Sequence, residues 1–228
     1  MKKILFITDS LGLPRTFPEK ILAENTYPNI TTKFFHDNYH KQYMFFQYRR
    51  AGLTTAFINY EINEGSLISY KPDIIVLQVG IVDCYPRALT KIERAIISRI
   101  PIFNNIMKKI IKRYYKKIVH YRNISYVDKK DFKSHLKDIE LNLLNSVSNP
   151  IVIPIAPANK NYKDLNPRVD ENIKIYNKIL RSVFKDNFYN TFYDSFLAEK
   201  MFLSDNHHLN TLGHKYFSKK LIEKISKL

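Results

Sequence analysis

The sequence predicts a three-layer α/β/α domain with a central parallel sheet covered by helices on both faces, and three observations carry that prediction. The strand candidates are continuous apolar runs rather than alternating ones, as strands buried on both faces require. These runs alternate with longer segments whose apolar residues recur at three and four. The 228 residues, 45% of them hydrophobic, can build one sizeable core, and no internal repeat, Gly/Ser linker or low-complexity tract divides them. The expected organisation is a single domain over 1–228.

The first strand runs from Lys3 to Thr8 and ends on the polar pair Asp9-Ser10. Met1-Lys2-Lys3 and the apolar residues after it resemble the start of a signal peptide, but Asp9 breaks the run before an h-region develops. The clearest strand spans Asp73 to Gly80, opened by Pro72 and closed by glycine. Pro150 to Ile155 reads as another, Phe188 to Phe192 as a weaker one, and Thr31 to Phe35 as a short one. Helices are expected near 130–147, 168–185 and 210–227. The chain between the strands at 73–80 and 150–155 is far longer than one crossover helix needs, which predicts a helical insertion over 88–128.

Within that insertion, 106–119 alternates apolar and basic pairs, the pattern of an amphipathic helix with one cationic face. Three uses remain open for it: docking on the domain, peripheral contact with an anionic bilayer at the inner face of a membrane, or a nucleic-acid groove. The formal charge of +16 fits an anionic partner such as an acidic glycan, yet a lysine-rich composition bias gives the same number. No nucleic-acid partner is expected, because no recognised binding motif accompanies the charge. The single cysteine, Cys84, excludes an internal disulfide, and no run approaches the roughly 18 apolar residues of a membrane span. A soluble, cytoplasmic protein is the expectation.

Ser10 sits where the carboxyl edge of a parallel sheet exposes residues to a ligand crevice. A serine nucleophile needs a base, and the base needs an orienting carboxylate. Asp205-Asn206-His207-His208, immediately before the last helix, offers both three residues apart.

These residues resemble the SGNH or GDSL-like hydrolases. The family's first block, a strand then Asp-Ser, matches Ile7-Thr8-Asp9-Ser10, and its last, Asp-x-x-His with Leu-Asn and Gly-His following, matches Asp205 to His208, Leu209-Asn210 and Gly213-His214. The glycine of the second block falls at Gly52. The resemblance implies a flavodoxin-like fold with about five parallel strands. It also implies Ser10 as nucleophile, His208 as base and then acid, Asp205 as its orienting carboxylate, and no metal or organic cofactor. Oxyanion-hole and substrate contacts are expected from Asp9, Gly52 and the stretch containing Val82, Asp83 and Arg87.

That stretch departs from the family's Gly-x-Asn-Asp, because Gly80-Ile81-Val82-Asp83 puts valine where an asparagine would donate to the oxyanion. One such donor is worth about 2.7–4 kcal/mol in the transition state. A substitute from Arg87 or Cys84, a different reaction, or a silent site would each account for valine. Among other candidates, His207 reads as an exposed neighbour, and His36 and His40 as surface residues. His214 falls in the last helix, away from a zinc set with Asp205 and the histidine pair. Arg15 either lines the pocket or faces water. The expected function is hydrolysis or transfer of an O-acyl, chiefly O-acetyl, group on a carbohydrate. Glycan substrates that are acidic or lipid-linked would fit, and Gly-Ile-Val-Asp-Cys resembles SGNH-like proteins of surface-polysaccharide assembly. A lipase or thioesterase, and a silent glycan-binding or partner-binding module, are the alternatives.

Overall fold

The computed structural model of the chain describes residues 1–99, 101–147, 149–191 and 199–228. Four strands, β1 (Lys2–Thr8), β2 (Tyr43–Arg49), β3 (Ile74–Gln78) and β4 (Asn149–Ile153), form a parallel sheet in the order β2-β1-β3-β4. Every residue of β3, and of β1 from Ile4 onward, is buried, because both faces of the sheet are covered. Alternate side chains feed two cores. Leu5, Ile7, Ile75, Leu77 and Val152 face one way; Ile4, Phe6, Ile74, Val76 and Ile151 face the other. Each such apolar side chain contributes about 1.5–3 kcal/mol by leaving water.

The first core is covered by α2 (Thr55–Asn63), α6 (Lys129–Asn142), the short α7 (Lys160–Leu165) and α8 (Val169–Phe184), the second by α1 (Tyr27–Asn38) and α9 (Thr211–Ile225). The short strand expected at Thr31 to Phe35 is part of α1 instead. Tyr27, Thr31 and Phe35, four apart, share its buried face, and Pro28 stands in its first turn. Thr31 and Thr32 mimic strand residues, yet their hydroxyls donate to the carbonyls of Tyr27 and Pro28 at 2.8 and 2.9 Å, one turn back. The second strand lies further along as β2, an edge strand whose side chains are mostly half-buried.

The described residues hold four strands rather than about five. Phe188 makes a single parallel bridge to Val152, and Tyr189 N–H donates to the Val152 carbonyl at 2.8 Å. Pro154 has no N–H to continue a ladder, and the Thr191 carbonyl is taken by the Tyr216 hydroxyl at 3.0 Å. Residue 192, the last of that expected strand, lies outside the described residues.

Between β3 and α6 the chain runs through α3 (Ile81–Cys84), α4 (Lys91–Ser98) and α5 (Pro101–Arg122). Thr90 and Glu93 form a reciprocal capping box at the start of α4, and Glu93 also holds Arg122 at 2.7 Å. Arg87 and Ile124, flanking α4 and α5, pair as an antiparallel bridge with a 2.7 Å hydrogen bond. Along α5, Val119 is buried while Ile106, Ile110 and Tyr114 are exposed. Among the described residues no helix is long and apolar enough to cross a membrane.

Candidate active site

In this strand order the chain runs to opposite sides after β1 and β3, and the crevice at their carboxyl ends is where open parallel sheets bind ligands. Ser10 leaves β1 into a single 3-10 turn, Ser10–Gly12. Asp9 builds that turn: its Oδ1 accepts the Leu11 N–H at 2.9 Å and its Oδ2 accepts from Gln78 Nε2 at 3.2 Å. Asp9 is fully buried, and burial pushes its carboxyl up to about 7 against those two hydrogen bonds. It sits behind Ser10 rather than in the cavity.

The opposing arm is a turn of chain ahead of α9. Leu203 N–H donates to the His208 carbonyl at 2.7 Å, Asn210 N–H to that of Met201 at 2.9 Å, and Phe202 bridges Leu209. Asn206 takes the left-handed conformation, φ 65°, that reverses the chain. Asn210 caps α9 by accepting the Gly213 N–H at 3.0 Å, and its amide donates to the carbonyls of Lys200 and Phe202.

This arm brings His208 Nε2 to 3.1 Å from Ser10 Oγ, while His208 Nδ1 lies 2.7 Å from Asp205 Oδ2. Asp205 Oδ1 accepts the N–H groups of His207 and His208 at 3.1 and 3.0 Å. Burial alone would raise the Asp205 carboxyl, but the hydrogen bonds from His208 and His207 together hold it well below the usual carboxylate range. Burial lowers the His208 imidazole, with Asp205 opposing, so the ring is neutral at pH 7 and can accept a proton.

A cavity of about 800 Å³ opens over this trio. Gly52, at φ +72° in the turn after β2, lines it together with Ser10. The N–H groups of these two residues make no hydrogen bond among the described residues. Val82 lines the cavity from α3 and offers it no side-chain donor. Gly80, at φ +116°, starts that helix so close to Ile155 that an added Cβ would stand 2.7 Å from its Cδ1.

Asp83 is turned away from the cavity. Its Oδ1 accepts from the N–H and hydroxyl of Thr55 at 2.9 and 2.8 Å, tying α2 to α3, and burial pushes it up to about 6 against those bonds. Cys84 is fully buried with its thiol toward the Ile81 carbonyl at 3.7 Å, so it reaches no substrate. Arg87 does line the cavity, its guanidinium 4.5 and 4.3 Å from the ring centres of Tyr85 and Tyr126. Arg15 lines it too, approaching the Ser10 carbonyl at 3.5 Å.

Several wall residues carry no local sequence signal. Tyr85 stacks on Tyr162 at 5.6 Å, Tyr162 on His207 at 5.5 Å, and His207 leans on His208 at 3.9 Å. His207 is therefore a wall of the cavity and not only an exposed neighbour. The side chains of Asp205, His207 and His208 offer three ligand atoms within 4.8 Å of one another, but Asp205 Oδ2 and His208 Nδ1 already hold each other. His214 stands apart, fully buried, accepting the Tyr27 N–H at 3.1 Å, and burial pushes it down to about 4. His36 and His40 are exposed.

No protein-family model and no curated protein matches the sequence. Solved structures do. An α/β hydrolase, LAE5, from the metagenome of Lake Arreo superposes with a TM-score of 0.66 at 12% identity, covering 99% of this chain and 95% of that one. The lipase/acylhydrolase from Enterococcus faecalis gives 0.65 at 16%, covering 100% and 96%. The acetylxylan esterase Axe2 from Geobacillus stearothermophilus gives 0.64 at 15%, covering 98% and 94%. At such identities the likeness establishes architecture: this chain has, from end to end, the flavodoxin-like fold of those hydrolases.

Proposed function

We propose that the protein is a serine esterase or acyltransferase that acts on O-acyl esters of carbohydrates through Ser10, His208 and Asp205. The observation that carries this reading is the continuous relay of 3.1 Å and 2.7 Å contacts from Ser10 Oγ through the His208 ring to Asp205. Such a relay activates a hydroxyl that is a weak nucleophile on its own. The shared fold with proteins named as an acetylxylan esterase and a lipase/acylhydrolase supports the reaction class.

Ser10 Oγ attacks the acyl carbon as His208 Nε2 takes its proton. The leaving alcohol departs with that proton, and the acyl group remains on Ser10. Water, or a sugar hydroxyl in the transfer reaction, then attacks as His208 again accepts the proton and returns it to Ser10. Asp205 holds Nδ1 and stabilises the transient imidazolium. The oxyanion is met by the N–H groups of Ser10 and Gly52, with the Arg15 guanidinium taking the place that Val82 leaves without a donor. The tyrosines of the cavity supply flat faces for a sugar ring, and surface-glycan assembly is one setting that would use such chemistry.

A second reading, a silent binding module on the same scaffold, rests on Val82 alone. Labelling with a fluorophosphonate decides between them. Covalent modification of Ser10, located by intact mass and peptide mapping and absent from Ser10→Ala and His208→Ala, supports the enzyme. A folded wild-type protein that stays unmodified overturns it.

A further inference from the structure

The charges lining the cavity are unbalanced. Arg15, Arg50, Arg87 and Lys91 face it, whereas the one carboxylate among its described lining residues, Asp205, is engaged by His208. The imbalance is sharpest around Tyr126. Arg87 Cζ, Lys91 Nζ and Arg94 Cζ stand 4.3, 5.0 and 5.8 Å from the centre of that ring. Among the described residues none of the three cations has a carboxylate within ion-pair distance, and Arg87 Nε is buried without a hydrogen-bond partner. Asp83, whose carboxyl feels the charge of Lys91, is buried and bound to Thr55. Three like charges around one ring repel each other, and the tyrosine faces offset this only in part.

This cluster lies at the far end of the stacked wall from the nucleophile. Between Arg87 and His208 stand the rings of Tyr85, Tyr162 and His207 in sequence. We infer that Arg87 and Lys91, arranged on Tyr126, form a subsite for an oxyanion group, phosphate or carboxylate, carried by the substrate on the side remote from its ester. The inference rests on the proposed esterase site for its position and goes beyond it in naming a charge requirement. Guanidinium and ammonium lining one cavity against the same ring suit such a group, because one supplies a planar fork of donors and the other a point charge.

Nitrophenyl esters of a ladder of dicarboxylic acids, each paired with its methyl-capped neutral counterpart, test the carboxylate source. A ladder ending in phosphonate, with capped counterparts, tests the phosphate source. At low ionic strength the wild type is expected to favour the charged member of at least one pair by about tenfold in kcat/KM. In Arg87→Met and Lys91→Met that ratio should fall toward one, and Arg87→Lys should restore part of it. A wild-type ratio near one across both ladders, or a preference that survives both methionine variants, overturns the subsite.

Calorimetric titration with inorganic phosphate gives an arm that needs no turnover, and binding at least about tenfold weaker in Arg87→Met is expected. Phosphate binding of that kind in a protein whose Ser10 is never labelled would keep the subsite and remove the esterase. Labelled Ser10 with equal ratios and no phosphate binding would do the reverse.

Discussion

The side-chain amide of Asn210 donates to the carbonyl of Phe202 at 3.1 Å, so the residue that starts α9 also anchors the segment leading into Asp205. Its amide reaches the Lys200 carbonyl as well, at 2.7 Å, while its Oδ1 accepts the Gly213 N–H. Helix and arm are thereby held by one side chain. Asn210→Ala is expected to lower stability by about 1–3 kcal/mol, from a lost cap and two lost hydrogen bonds to carbonyls. Because the arm carries His208, turnover should fall as well. Urea unfolding together with ester kinetics checks this, and a destabilised variant of unchanged kcat would show that the arm is held by other contacts.

Asp205→Asn tests orientation rather than fold. The amide is isosteric but cannot hold His208 Nδ1–H as a carboxylate does, so kcat should drop by about 10²–10⁴. Melting temperature should change little. Steady-state rates on an acetyl ester, with melting curves of the same samples, decide it.

His208 must be neutral to act as base, and burial sets its pKa below the ordinary 6.5. The acid limb of kcat/KM, and of fluorophosphonate labelling, should therefore have its midpoint below pH 6.5. A midpoint above that value would mean that Asp205 outweighs burial at this ring.

Asp9 gives a stability signature of opposite sense to an ordinary carboxylate. Its folded-state value of about 7 exceeds the unfolded value of about 4, so the folded protein holds the extra proton between them. Stability from this group is therefore present at low pH and is lost as pH rises through that window. Asp9→Asn stays neutral and removes this dependence. The unfolding free energy of wild type minus that of Asp9→Asn should fall between about pH 4 and pH 7, a difference in which the titration of His214 cancels. A flat difference would mean that Gln78 and Leu11 keep Asp9 ionised.

Legibility in the sequence followed how local each signal is. β1 and β3 were readable because burial on both faces writes uninterrupted apolar runs. β2 was not: Tyr43 to Arg49 lies at an edge, half-buried, and mixes glutamine and arginine with aromatics. Thr31 to Phe35 has strand-like composition, and only its spacing from Tyr27 reveals a helix face. Ser10, Asp205 and His208 stood out through motif spacing within short segments. The roles of Tyr126, Tyr162 and His207 in the wall arise from contacts between distant segments, and tyrosine is too common in this chain to mark them.

The antiparallel bridge between Arg87 and Ile124 makes the intervening chain a closed detour, leaving and rejoining the domain at paired positions. Backbones so paired stand about 4.5–5.5 Å apart, a gap that two or three residues can span. Trimming α4 and most of α5 to a tight turn would thus leave the sheet's connectivity intact, and regrowing the detour to another length costs only the slow logarithm of loop closure. The fold can vary what overhangs its cavity without rethreading a strand.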